Sequence, residues 1–139
     1  MSDTVIWHNP KCGTSRNVLA MIRNAGVELV IRDYQKDAPD EAELRAAMAA
    51  AKLTPHQLVR RKGTPFAELG LSDATPDDDL VAAMLAHPIL IERPLVFTPK
   101  GAALCRPSEA VLDLLPQQQG AFSKEDGEPV VDAQGNRVR

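Results

Sequence analysis

Residues 8–17 read HNPKCGTSRN, a cysteine between a turn-forming Asn-Pro pair and a Gly-Thr-Ser stretch. Val18, Leu19, Met21, Ile22 and Ala25 follow at the spacing of one helical face, with Thr14 or Ser15 as the N-cap and Gly26 as the stop, so a helix is predicted to start just after Cys12. At such a start the unshared backbone N–H groups and the positive end of the helix dipole favour a thiolate and can hold an oxyanion beside it. His8, Lys11 and Arg16 flank the thiol and can add positive potential. The bland alternative for Cys12 is a small buried packing residue, but a Pro/Gly loop at a helix start is a poor place for one.

Two spacings narrow the chemistry. A Cys-x-x-Cys redox pair would put its second sulfur at position 15, which is Ser15. The loop therefore cannot close its own disulfide, and a second electron-donating thiol must come from elsewhere. A phosphatase-like loop would close on its anion with an arginine several residues after the cysteine; Arg16 comes four positions on and Val18 six, which disfavours phosphate-ester hydrolysis. Further cations stand beside structural breaks: Arg60 and Arg61 after a short helix, Arg93 before Pro94 and Arg106 before Pro107. An Arg before Pro is held extended and can aim its guanidinium into a cleft, where the fork matches a tetrahedral oxyanion. Taken singly each is an ordinary solvated arginine; only convergence on Cys12 would make them a site.

The elements that must position these groups follow from pattern. Thr4 to Trp7 is a β-branched and aromatic strand, and Val27 to Tyr34 a second strand parallel to it, so with the helix between them they form a right-handed βαβ unit. Asp40 to Ala51, the start at Thr54-Pro55 and the start at Thr75-Pro76 make the middle helical. Leu95 to Thr98 and Ala102 to Cys105 form a hairpin around Pro99 to Gly101, and Pro107-Ser108 opens a last helix with Val111, Leu112, Leu114 and Leu115 as its stripe. The expected fold is α/β: a thioredoxin-like, four-stranded mixed sheet with a helical insertion, spanning residues 1–115. Residues 116–139 are polar and turn-rich and are expected to be a loosely held tail.

With 139 residues the chain is long enough for one independent core. A hydrophobic share of 44 % and a charged share of 25 % exclude collagen, coiled coil and a wholly disordered chain. Sixteen basic against nineteen acidic residues leave a net charge of −3, which offers no broad cationic surface for nucleic acid. No stretch approaches the roughly 20 apolar residues of a membrane helix, and the start MSDTVIWHNP is unlike an export signal, so no membrane association and a cytoplasmic location are expected. Cys12 and Cys105 lie far apart, which makes a reactive thiol a better question than a disulfide. His8, His56 and His87 with the two cysteines show no metal-ligand spacing, and no glycine pattern implies a nucleotide; no bound cofactor or metal is expected. His56 and His87 flank helix boundaries, and Asp77 to Asp79 read as a favourable cluster in a helix's first turn.

HNPKCGTSRN, HPILIERPLVFTPKG at 87–101, LCRPSE at 104–109 and GAFSKEDGE at 120–128 together resemble the glutaredoxin-coupled arsenate reductases of the ArsC family. The likeness spans nearly the whole chain, with several separated motifs in order. It implies a thioredoxin-like fold with a helical insertion. It matches Cys12 to the nucleophile and His8 to a loop histidine near the thiol. Arg60, Arg93 and Arg106 match the arginines that hold the arsenic oxyanion, alongside Gly13, Thr14 and Ser15 at the helix start; register favours Arg60 over its neighbour Arg61. Pro94 matches the cis-proline that faces the active site. Trp7 replaces the more usual tyrosine, and 72–79 runs one residue short of the best-known members; neither touches a motif residue. The resemblance implies arsenate as substrate, glutathione as co-substrate and glutaredoxin as partner. Cys105 is expected to be a packing residue. The rival reading is a thioredoxin-fold redox-sensing regulator that binds a protein partner, but Ser15 and the three arginines speak against it.

Overall fold

The computed structural model describes residues 3–138. The chain divides into two compact units, Met1–Arg32 with Arg93–Arg139, and Asp33–Glu92. The first is built on a four-stranded sheet. Strand β1 (Val5–His8) leads through helix α1 (Gly13–Asn24) to strand β2 (Val30–Asp33). Strands β3 (Leu95–Thr98) and β4 (Gly101–Leu104) form the expected hairpin. The order is β2-β1-β3-β4. β1 lies antiparallel to β3, with Ile6 opposite Val96, and β3 antiparallel to β4. A helical crossover from β1 to its neighbour β2 completes a mixed sheet.

Two central strands can bury both faces, and β1 and β3 are accordingly apolar. Ile6 and Val96 are fully buried and join Val18, Met21 and Ile22 of α1, Cys105, Val111 and Leu115 in one core. At the edge, β2 leaves Val30 and Ile31 exposed, and it is shorter than the Val27–Tyr34 run predicted. The last helix differs in kind from the expectation: Ser108–Leu114 is a 3-10 helix, which still buries Val111.

The largest correction concerns residues 116–138, which pack onto α1 instead of forming a loose tail. Strands β5 (Phe122–Ser123) and β6 (Pro129–Val131) pair antiparallel, and Val130 and Val131 are buried in the same core as α1. Gln118, also buried, donates its Nε2 to the Met21 carbonyl at 2.9 Å. Asn24 Nδ2 donates to Gln118 Oε1 at 2.8 Å and to the Gly120 carbonyl at 3.0 Å. Gln118, one of the polar side chains that suggested a loose tail, is thus spent on bonds to α1.

The second unit is the helical insertion, between β2 and β3 in sequence. Helix α2 (Glu41–Ala51) starts at Asp40, which accepts the Glu43 N–H at 2.8 Å while Glu43 accepts the Asp40 N–H at 3.1 Å. Helix α3 (Pro55–Leu58) repeats this reciprocal cap with Thr54 and Gln57, and has proline in its first turn as expected. Helix α4 (Asp77–Ala86) has Asp77, Asp78 and Asp79 in its first turn, where the dipole favours them. His56 Nε2 pairs with the Thr75 carbonyl at 2.8 Å, and His87 ends α4. Buried Tyr34 donates its hydroxyl to the Ile91 carbonyl at 3.0 Å.

Candidate active site

Strand β1 ends at His8, and the next four residues turn the chain into α1. Asn9 makes the turn: its carbonyl accepts the Cys12 N–H at 3.0 Å and its Oδ1 accepts the Lys11 N–H at 2.9 Å. Cys12 itself is the N-cap, extended at φ −100° and ψ 122°, and makes no side-chain capping bond. This corrects the expected cap at Thr14 or Ser15; Gly13, Thr14 and Ser15 are the first residues of the helix proper. A sulfur is a weak acceptor, so the Ser15 N–H can favour the thiolate without tying the sulfur up in a capping bond, and the thiol stays available for chemistry.

Ser15 turns inward instead. Its Oγ is 2.6 Å from His8 Nδ1 and accepts the Asn9 N–H at 3.1 Å. Ser15, His8 and Asn9 are all buried, so this cluster ties the end of β1, the turn and the first turn of α1 into one piece. His8 thus reaches the site through Ser15. Asn9 makes the turn that its place before Pro10 predicts; its N–H bond into this buried cluster was not read from sequence.

Pairing of β1 with β3, and of β3 with β4, brings two of the predicted arginines to this loop. Arg106 Nη1 lies 3.8 Å from Cys12 Sγ and donates to the Arg93 carbonyl at 2.9 Å. Arg93 is buried beside them, and its guanidinium favours the thiolate. Both arginines precede cis-prolines, Pro94 and Pro107; the first is the one the resemblance implied and the second went unforeseen. Burial alone would raise the Cys12 pKa, but the Ser15 backbone N–H and the guanidinia of Arg106 and Arg93 outweigh it and hold the thiol below its ordinary value. Cys105 behaves oppositely: burial, with the Asp113 charge, pushes it up to about 12.

Arg60 and Arg61 belong to the helical unit. Arg60 Nη1 pairs with Glu92 Oε1 at 2.7 Å and its Nε donates to the Lys62 carbonyl at 3.0 Å, with a largely buried side chain. Arg61 is more exposed, ion-paired with Asp73 and stacked over Phe66 at 4.6 Å, so the two neighbours have different employment. Two further charges went unseen in the sequence. Glu125 forms a two-pronged pair with Arg16, and Lys124 pairs with Glu109 at 2.8 Å. Only their place in GAFSKEDGE hinted at them.

Fold and site together define a class: thioredoxin-like α/β proteins in which a single thiol, without a Cys-x-x-Cys partner, caps the first helix next to paired guanidinia. Within it, the sequence matches the ArsC family over residues 7–114, and the chain belongs to that family. It is 62 % identical over 135 residues to an arsenate reductase of Rhizobium meliloti (strain 1021), covering 96 % of each chain. It is 52 % identical to an arsenate reductase of Escherichia coli (strain K12) over the full length of both. Among solved structures, an arsenate reductase from Vibrio cholerae superposes with a TM-score of 0.76 at 38 % identity, over 82 % of this chain and 98 % of that one.

Proposed function

We propose that the protein reduces arsenate to arsenite through the Cys12 thiolate, with glutathione and then glutaredoxin as electron donors. The observation that carries this reading is the pair of guanidinia on a thiol at a helix N-terminus, with Arg106 Nη1 3.8 Å from Cys12 Sγ. Full-length relatives called arsenate reductases at 52–62 % identity support the choice of oxyanion. In this reading the backbone N–H groups of Gly13, Thr14 and Ser15, with Arg93 and Arg106, receive the arsenate oxygens. Arg60 is taken as a third guanidinium on the resemblance alone, and His8 acts through Ser15 to hold the loop.

The chemistry balances as follows. The Cys12 sulfur attacks arsenic, an oxygen leaves as water after protonation, and an S–As(V) bond forms. A glutathione thiolate attacks the Cys12 sulfur; the S–As pair departs with arsenic, which becomes As(III), and the two sulfurs join in a mixed disulfide. A glutaredoxin thiol takes the glutathione and returns Cys12 to the thiol. Ser15 offers no internal sulfur for that step, and Cys105 is buried and kept protonated. Glutathione chemistry places the reaction in a reducing compartment.

The test is arsenate reduction with both donors present and with each omitted. Activity should need both, vanish in Cys12→Ser and persist in Cys105→Ser. Turnover sustained by thioredoxin alone contradicts the thiol route, and a dead Cys105→Ser variant reverses the sulfur roles.

A further inference from the structure

The turn between β5 and β6 touches both segments that carry the site. On one side, Glu125 accepts from Arg16 Nε at 2.9 Å and Nη2 at 3.0 Å, and its own N–H donates to Asn17 Oδ1 at 3.0 Å. Arg16 also donates through Nη1 to the Pro10 carbonyl at 3.0 Å, so this guanidinium runs from the hairpin to the loop that precedes Cys12. A Cβ built on Gly13 would meet Arg16 Nη2 at 3.6 Å and Glu125 Oε1 at 3.9 Å, which sets the pair directly over the start of α1. On the other side, Lys124 Nζ lies 2.8 Å from Glu109 Oε1, just beyond Arg106 and Pro107. These two side chains are only 14 % and 13 % exposed.

We propose that Lys124 and Glu125 are positioning residues that clip the Cys12 loop to the Arg106 segment and thereby set the approach of the Arg106 guanidinium to the Cys12 sulfur. This rests on Cys12 being the reactive thiol. Exposed ion pairs contribute little to stability, whereas a two-pronged carboxylate–guanidinium contact fixes direction. The Arg106 contact at 3.8 Å stands near the outer limit for a sulfur hydrogen bond, and small displacements at a reacting centre have large rate effects.

The sign of one measurement separates positioning from simple electrostatics. The charged groups at the thiol are Arg106, Arg93 and Arg16, the last with Glu125 behind it. By charge alone, deleting the Glu125 carboxylate would favour the thiolate and lower its titration midpoint. A lost clip loosens Arg106 and raises it. The experiment follows iodoacetamide alkylation of Cys12 against pH by mass spectrometry, without arsenate, in the full chain and in Glu125→Ala. The neutral variant Asn17→Ala removes the acceptor of the Glu125 N–H without changing charge, and serves alone if Glu125→Ala does not fold. In both, the midpoint should rise by about half a unit to a unit. Arsenate turnover should fall about tenfold in kcat with a smaller change in KM. A midpoint that is unchanged or lower in the folded variants overturns the proposal. Native protein that shows a lowered Cys12 midpoint but reduces no arsenate would instead count against the function, leaving the clip standing.

Discussion

At Cys12 opposing influences act on one proton. Burial resists the charge, while the Ser15 N–H, Arg106 and Arg93 favour it and prevail; at Cys105 burial and Asp113 act together and take the thiol to about 12. Iodoacetamide at neutral pH should therefore label Cys12 and spare Cys105, and the labelling should decline as pH falls through the lowered Cys12 midpoint, because only the thiolate reacts. In Arg106→Gln the midpoint should rise by about a unit, so labelling drops several-fold at neutral pH and approaches the native rate only at pH well above the ordinary value of 9.0. Equal labelling at neutral pH would show that Arg106 does not stabilise the thiolate. The thiol's setting was legible because strand, turn and helix are local in sequence. The arginines were legible by type and proline context but not in convergence, since Arg106 stands 94 residues from Cys12 and only strand pairing joins them. Ser15 read from sequence as a missing sulfur; its use at the centre of a buried cluster arises only where the end of β1 meets the first turn of α1.

Helix starts show where local rules hold and where a site overrides them. Thr54 with Pro55 caps α3 as its sequence dictates, and Asp40 caps α2. At α1 the good capping residue Ser15 is drawn inside by His8 and Asn9, and Cys12 takes the cap position with no side-chain bond. The helix end behaves as read: Gly26, at φ +75°, follows the last residues of α1, in a conformation that other residues rarely adopt. Ser15→Ala should be costly for its size. It removes the acceptor of a buried N–H and the bond shared with His8, and urea unfolding should show a loss of about 1–3 kcal/mol. A loss no larger than that of an exposed Ser→Ala change would mean that the cluster does not hold the loop.

Across the whole chain, the alternation of strands and helices was enough to give the four-stranded mixed sheet and to place the helical stretch between β2 and β3, because each of these elements has its own apolar period. Residues 116–138 have none. Their burial rests on Val130 and Val131, on Gln118 and on bonds to Asn24 and Met21, and so few apolar residues among so many polar ones read as a loose tail. The two accounts differ in a measurable way. If the segment were loosely attached, Val130→Ala would be silent and removal of residues 116–139 would leave a stable protein. Since Val130 is 0 % exposed and shares a core with Val18, Met21 and Ile22 of α1, Val130→Ala should lower unfolding stability by about 2 kcal/mol. Truncation after Leu115 exposes that side of α1 and leaves the Met21 and Asn24 partners unmatched, so the shortened chain should lose cooperative unfolding and the low Cys12 midpoint together. The joint loss is the informative result, because a segment that merely added stability would leave the thiol unchanged in whatever fraction stayed folded.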